Sequence, residues 1–132
     1  MNAPTEGTTQ IERTPRRQRL NPKVLKNLRG LEESAPGFFR EVLDLYLTDG
    51  GEYVRQIREA TIRRDAEGLR RPAHSLKGSS GNIGAEELAL FCEDLENAAR
   101  VSDWGTSREL LACLEGEFLA LTQVLAREQS AS

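Results

Sequence analysis

Large aliphatic and aromatic residues recur along this chain at spacings of three, four and seven, the period of a helix with one buried face. Asn21-Pro22 supplies an N-cap side chain and a first-turn proline for a short helix through Val24, Leu25 and Leu28, ending near Gly30. Beyond the Pro36-Gly37 break, Phe39, Leu43, Tyr46, Tyr53 and Ile57 predict one long bent helix over about 37–62. Gly50-Gly51 falls inside it and marks a kink or a point where another backbone comes close. Asp65 is placed to cap a third helix with Leu69, Ala73, Leu76, Ser80 and Ile83 inward, and Pro72 requires that helix either to begin near Arg70 or to kink.

Ala85-Glu86-Glu87 puts acids in the first turn of the next helix, which turns Leu88, Phe91, Cys92, Leu95 and Ala99 inward. The turn Ser102-Asp103-Trp104-Gly105 ends it, and Thr106 with Glu109 reads as a capping box for a last helix striped by Leu111, Leu114, Phe118, Leu121 and Leu125. No stretch alternates with period two. The expected fold is all-α: an antiparallel four-helix bundle with a short additional N-terminal helix. Residues 1–20, poor in aliphatics and carrying Arg13, Arg16, Arg17 and Arg19, read as a disordered basic arm; the domain spans 21–128 and 129–132 form a disordered tail.

Composition narrows the function. A length of 132 residues fits one domain with a real core, and a net charge of −3 leaves no nucleic-acid footprint. No apolar run approaches the roughly 18 residues of a membrane span, and the N-terminus lacks the apolar stretch of a signal peptide, so a cytoplasmic location is expected. Cys92 and Cys113 sit apart in helical patterns and read as core or boundary residues. A structural zinc needs about four ligands at close spacing, and the chain has one histidine, so no metal site is expected.

That histidine is His74. With it at zero on a wheel of about 100° per residue, the core positions of its helix centre near 220°, so the imidazole points away from the core. Arg71, Gly78 and Gly81 lie within about 60° of it, Lys77 lies one turn on, and Glu67 and Arg70 lie one to two turns back. Glycine in mid-helix costs about 1 kcal/mol against alanine and has no packing reason on a solvent face. It does leave room for another molecule to approach the ring. Neutral imidazole attacks phosphoryl groups near pH 7, and a mobile ammonium such as that of Lys77 offsets charge on the phosphoryl oxygens. No acid or second histidine lies at i±3 or i±4 to support hydrolysis, and Gly78-Ser79-Ser80-Gly81 lacks the Gly-Lys-Ser/Thr ending of a nucleotide loop.

His74-Ser75-Leu76-Lys77-Gly78, followed by Gly84, resembles the His-x-Leu-Lys-Gly-x5-Gly signature of histidine-containing phosphotransfer (HPt) domains without a mismatch. Leu88, Cys92, Leu95 and Glu96 are similar to that family's following helix, and the helix pattern extends the likeness over about residues 21–127. The resemblance implies a phosphocarrier without its own kinase activity. In it, His74 accepts a phosphoryl group through Nε2 from the aspartyl phosphate of one receiver domain and donates it to the aspartate of another. It assigns phosphoryl stabilisation to Lys77 and steric clearance to Gly78. Arg70, Arg71, Ser75, Gly81 and Asn82 then belong to the surface that meets the partner. The expected partners are response-regulator receiver domains, those of hybrid histidine kinases included. Mg²⁺ belongs to the receiver, and no cofactor is expected here. Pro72, just before the signature, departs mildly from the family pattern.

A histidine-kinase dimerisation domain would carry an acid directly after the histidine and an ATP-binding domain beyond it; Ser75 follows His74 here. A phosphotransfer module of the chemotaxis-kinase type shares the motif but comes with attached kinase domains. The remaining alternative is a helical adaptor that binds a receiver without carrying phosphate. A monomer is the simplest assembly, because each inner stripe is satisfied within one bundle.

Overall fold

The computed structural model describes residues 19–131, which form five helices. These are α1 (Pro22–Gly30), α2 (Phe38–Arg63), α3 (Ala66–Asn82), α4 (Glu86–Arg100) and α5 (Trp104–Ala131). Short turns join the last four into an antiparallel bundle in which each helix packs on its chain neighbours and α5 closes back onto α2. Leu43, Ile57, Leu69, Leu76, Leu88, Leu95, Leu114, Leu121 and Leu125 are fully buried at its centre, on the stripes their spacing predicts. No helix among the described residues is long and apolar enough to cross a membrane.

The caps show how local chemistry sets the helix ends. The Asn21 side chain accepts from the Lys23 amide, and that of Asp65 from the Gly68 amide. Gly37 has no side chain with which to cap α2. Glu32 from the preceding turn does so, accepting from the Gly37 and Phe39 amides at 2.6 and 3.1 Å, bonds that hold its carboxyl below the usual carboxylate range.

The structure departs from expectation in several places. The last helix begins at Trp104, not at a Thr106 cap, because Asp103 is the acceptor: it takes hydrogen bonds from the Thr106 amide and hydroxyl at 3.1 and 2.7 Å. What comes close at Gly50 is a side chain, not a backbone. A Cβ there would stand 2.9 Å from the Phe118 ring. Helix α3 starts at Ala66 rather than near Arg70 and carries a buried Pro72 inside it.

The expected C-terminal tail is helical as far as Ala131, tied down where Gln129 Nε2 donates to Asp44 at 2.7 Å. The basic arm, with Arg13, Arg16 and Arg17, lies outside the described residues up to 18. Its last two residues pack on the bundle: Leu20 is buried, and Arg19 stands 3.3 Å from the buried Glu117.

Helix α1 covers one end of the bundle. The Asn21 amide donates to the Gly84 carbonyl at 2.8 Å, and the Arg29 guanidinium lies over Phe39 while donating to Glu128 at 2.6 Å. Gly84 has φ +83, and a Cβ on it would press on Asn21 and Val24 at about 3.0 Å. Glycine therefore lets the chain turn from α3 into α4 beneath α1 without strain.

Candidate functional site

Helix α3 presents two opposed faces. Leu69, Ala73, Leu76 and Ser80 are fully buried, which fixes the helix rotation and turns His74 outward with 72% of its side chain exposed. Gly78 and Gly81 are exposed on the same side, and a Cβ on either would meet nothing within 4 Å. The protein's own packing gives no reason for glycine at these two positions. A bare strip runs along the helix beside the imidazole.

Helix α4 supplies a residue that a search along α3 alone does not find. Glu96 Oε2 lies 4.0 Å from His74 Nδ1, on a side chain that is only 19% exposed. This is longer than a hydrogen bond, yet a carboxylate facing Nδ1 favours the proton on that nitrogen and leaves the Nε2 lone pair for the open side. The absence of an acid at i±3 or i±4 therefore described the helix and not the site. The sequence signal for Glu96 is its place, one turn beyond Cys92, in the stretch that resembles the following helix of the phosphotransfer family.

Lys77, half-buried, lies on the α4 side of the imidazole. Cys92, buried beneath it, registers both charges: burial pushes the thiol up to about 12, the Glu96 carboxylate adds to the rise and the Lys77 ammonium opposes it. An ammonium and a carboxylate thus both lie near Cys92, on the α4 side of α3. Among the described residues no three or more His, Cys, Asp or Glu side chains come together as a metal site.

Two recesses border α3. Between α3 and α4 a groove of about 480 Å³ is lined by Ala66 and by the charged and polar residues Glu67, Arg70, Glu96, Asn97 and Arg100, whose stems form much of its wall. On the α2 side a smaller, mostly apolar groove of about 200 Å³ is lined by Val42, Leu45, Tyr46, Tyr53, Asn82 and Ile83, among others. Leu45 is 62% exposed at its edge. Beneath this second groove the Tyr46 hydroxyl pairs with Ser80 Oγ at 2.8 Å, fully buried, which pins α3 to α2. Burial raises the Tyr46 phenol well above its ordinary range, so it stays a neutral hydrogen-bonding group.

The residues singled out from sequence all lie on α3. Arg70 and Arg71 are exposed, the former 3.3 Å from Glu67; Ser75 is half-buried; Gly81 and Asn82 are exposed, with Asn82 at the apolar groove. The walls contributed by α2 and α4 are remote in sequence from the His74 motif.

The sequence profile of the Hpt domain matches residues 41–130. Among solved structures, the chain is similar to histidine-containing phosphotransfer protein B (HptB) from Pseudomonas aeruginosa PAO1. The two share 31% identity with a TM-score of 0.78 over 88% of this chain and 98% of that one. The fold is also that of the maize histidine-containing phosphotransfer protein ZmHP2 (18% identity, TM-score 0.78, covering 98% of this chain and 100% of that one). A putative histidine-containing phosphotransfer protein from rice shares it too (20% identity, TM-score 0.73, covering 91% of this chain and 86% of that one). A comparison with curated proteins found no match.

Proposed function

The chain belongs to the Hpt domain family and works in histidine phosphotransfer within phosphorelays, and on that premise we propose that His74 is the residue that carries the phosphoryl group. The observation that carries this reading is an exposed imidazole with a carboxylate 4.0 Å from Nδ1 and two glycines beside it that nothing inside the protein requires.

In the proposed step the Nε2 lone pair attacks the phosphorus of a receiver's aspartyl phosphate. The P–N bond forms as the P–O bond to the aspartate breaks, and the aspartate departs as a carboxylate. The proton on Nδ1 stays in place, so the ring gains positive charge, which Glu96 offsets. Lys77, one turn on, neutralises the phosphoryl oxygens. Gly78, one turn on from the ring, gives the incoming domain clearance. Transfer to a second receiver reverses these steps.

Arg70, Arg71, Ser75, Gly81 and Asn82 form the surrounding contact surface. The protein acts as a monomer in the cytoplasm, with receivers of hybrid kinases among its partners, and has no cofactor of its own, Mg²⁺ belonging to the receiver. The domain proper starts near residue 21, with the basic arm before it. A phosphate-free adaptor would leave the bare strip and the carboxylate behind the ring without a purpose.

The test is incubation of the full chain, beside His74→Gln, with a panel of phosphorylated receivers from the source organism. The expected product is an acid-labile, alkali-stable label on the wild type only. Equal labelling of His74→Gln, or no label on the wild type from any receiver, would sink the proposal.

A further inference from the structure

We infer that the groove between the first half of α3 and the second half of α4 is where this protein tells receivers apart, by seating an acidic side chain of the partner between Arg70 and Arg100. The inference rests on His74 being the phosphoryl carrier, since it requires the partner to sit over that ring.

Position comes first. Glu96 is both a wall of the groove and the carboxylate 4.0 Å from His74, so a domain that reaches the imidazole covers the groove as well. At about 480 Å³ the recess has room for a partner side chain, and four of its lining residues carry full charges.

Charge decides the occupant. Glu67 is engaged by Arg70 at 3.3 Å, and Glu96 is turned toward His74. The hydrogen bond of Arg100 goes to the neutral amide of Asn97, at 2.6 Å. Among the described residues, Arg71, Lys77 and Arg100 have no carboxylate within ion-pair distance. The two carboxylates and two guanidiniums of the lining cancel formally, and the surplus comes from Lys77 beside it: Lys77 and Arg100, without a carboxylate partner, outnumber Glu96, which faces only the neutral imidazole. The Arg70–Glu67 pair is exposed on both sides and spans one helical turn, the kind of contact that is weak, screened by salt and easily exchanged for a better partner. A guanidinium pair presenting planar donor forks matches a carboxylate better than any other side chain.

The groove on the α2 side of α3 carries far fewer charges, Asp49 being its one charged lining residue. Apolar burial is non-directional and rewards any receiver with a matching greasy patch, whereas charge complementarity separates partners of equal shape. The two recesses thus divide the work into general adhesion on the α2 side and selection on the α4 side.

The test is Arg70→Glu/Arg100→Glu in the full chain, with kcat/KM for transfer from each of a panel of phosphorylated receivers, measured at low and at physiological ionic strength. Both side chains are exposed, and far-UV circular dichroism checks the helix content. Receivers with an acid flanking the phosphoacceptor site should lose about tenfold or more, mainly through KM and most at low salt, while those without one change by less than about threefold. The order of preference among receivers therefore changes. Arg100→Gln, which removes one charge without adding another, should move the order the same way on a smaller scale. A uniform loss across the panel, or an unchanged order in both variants, overturns the inference while leaving the carrier reading intact. A wild type that accepts phosphate from no receiver removes both.

Discussion

Gly78 and Gly84, six residues apart in one motif, should respond in opposite ways to gaining a side chain. At Gly84 the backbone has φ +83, which costs alanine about 1–2 kcal/mol. Its Cβ would also press on Asn21 N and Val24 Cβ, each at 3.0 Å. Relief of that pressure moves α1 and lengthens the 2.8 Å bond from the Asn21 amide to the Gly84 carbonyl, a further loss of about 0.5–1.5 kcal/mol. Gly84→Ala should therefore destabilise by about 2–3 kcal/mol, a fall in Tm of about 6–12 °C for a domain of this size. Transfer by the folded fraction should stay within about twofold of wild type, because the site is ten residues and three helical turns away.

At Gly78 the φ is helical and the space is empty, so Gly78→Leu should raise stability by about 0.5–1 kcal/mol through helix propensity. The same leucine stands one turn from the imidazole and holds the incoming domain off by about an ångström or more, which should slow transfer by about a hundredfold. Urea unfolding and single-turnover transfer on the same samples measure both effects. A Gly78→Leu protein destabilised like Gly84→Ala, or one that transfers at the normal rate, would refute a cleared approach at Gly78.

Other consequences are open to measurement. Glu96→Ala should slow transfer about tenfold with little change in melting, and Glu96→Gln should recover part of the loss by keeping a polar oxygen facing Nδ1; a full rate in Glu96→Ala would exclude a role for the carboxylate. Tyr46→Phe leaves the buried Ser80 hydroxyl without its partner and should cost about 1–2 kcal/mol in urea titrations, with Ser80→Ala added on top costing less than it does alone. Two hydrogen bonds from Thr106 hold the Asp103 carboxyl below its ordinary range. Its contribution is therefore complete above the unfolded-state pKa and is lost as pH falls through the folded-state pKa. Asp103→Asn should flatten the acid limb of stability against pH, and an unaltered limb would contradict the cap. Burial pushes the Cys92 thiol up to about 12, so a maleimide should label the half-buried Cys113 of the native protein at mildly alkaline pH and reach Cys92 only after unfolding. Labelling of both cysteines at equal rates in the native protein would argue against it.

Much of this protein was legible in its sequence because a helix is a local structure. Spacings of three and four set which face of each helix is buried, and the same arithmetic turned His74, Gly78 and Gly81 outward together. Short turns between long amphipathic stretches were enough for an antiparallel bundle. Local chemistry misled where two residues competed for one cap, as Asp103 did with Thr106, and where a glycine served a distant neighbour. Nothing near Gly50 in sequence announces the Phe118 ring, and nothing near Gly84 announces α1 lying across it.

What the tertiary structure alone decided is everything at the site that comes from another helix. Glu96 faces the ring, Leu45 and Tyr53 line one groove, and Asn97 and Arg100 line the other only once α2 and α4 pack against α3. Side-chain periodicity says which residues face inward, but the rotation and register that bring the edges of two helices together are set by packing over the whole core. The sequence by itself determined the bundle, the histidine and its cleared approach. Packing determined which charge faces the imidazole and which grooves a partner meets.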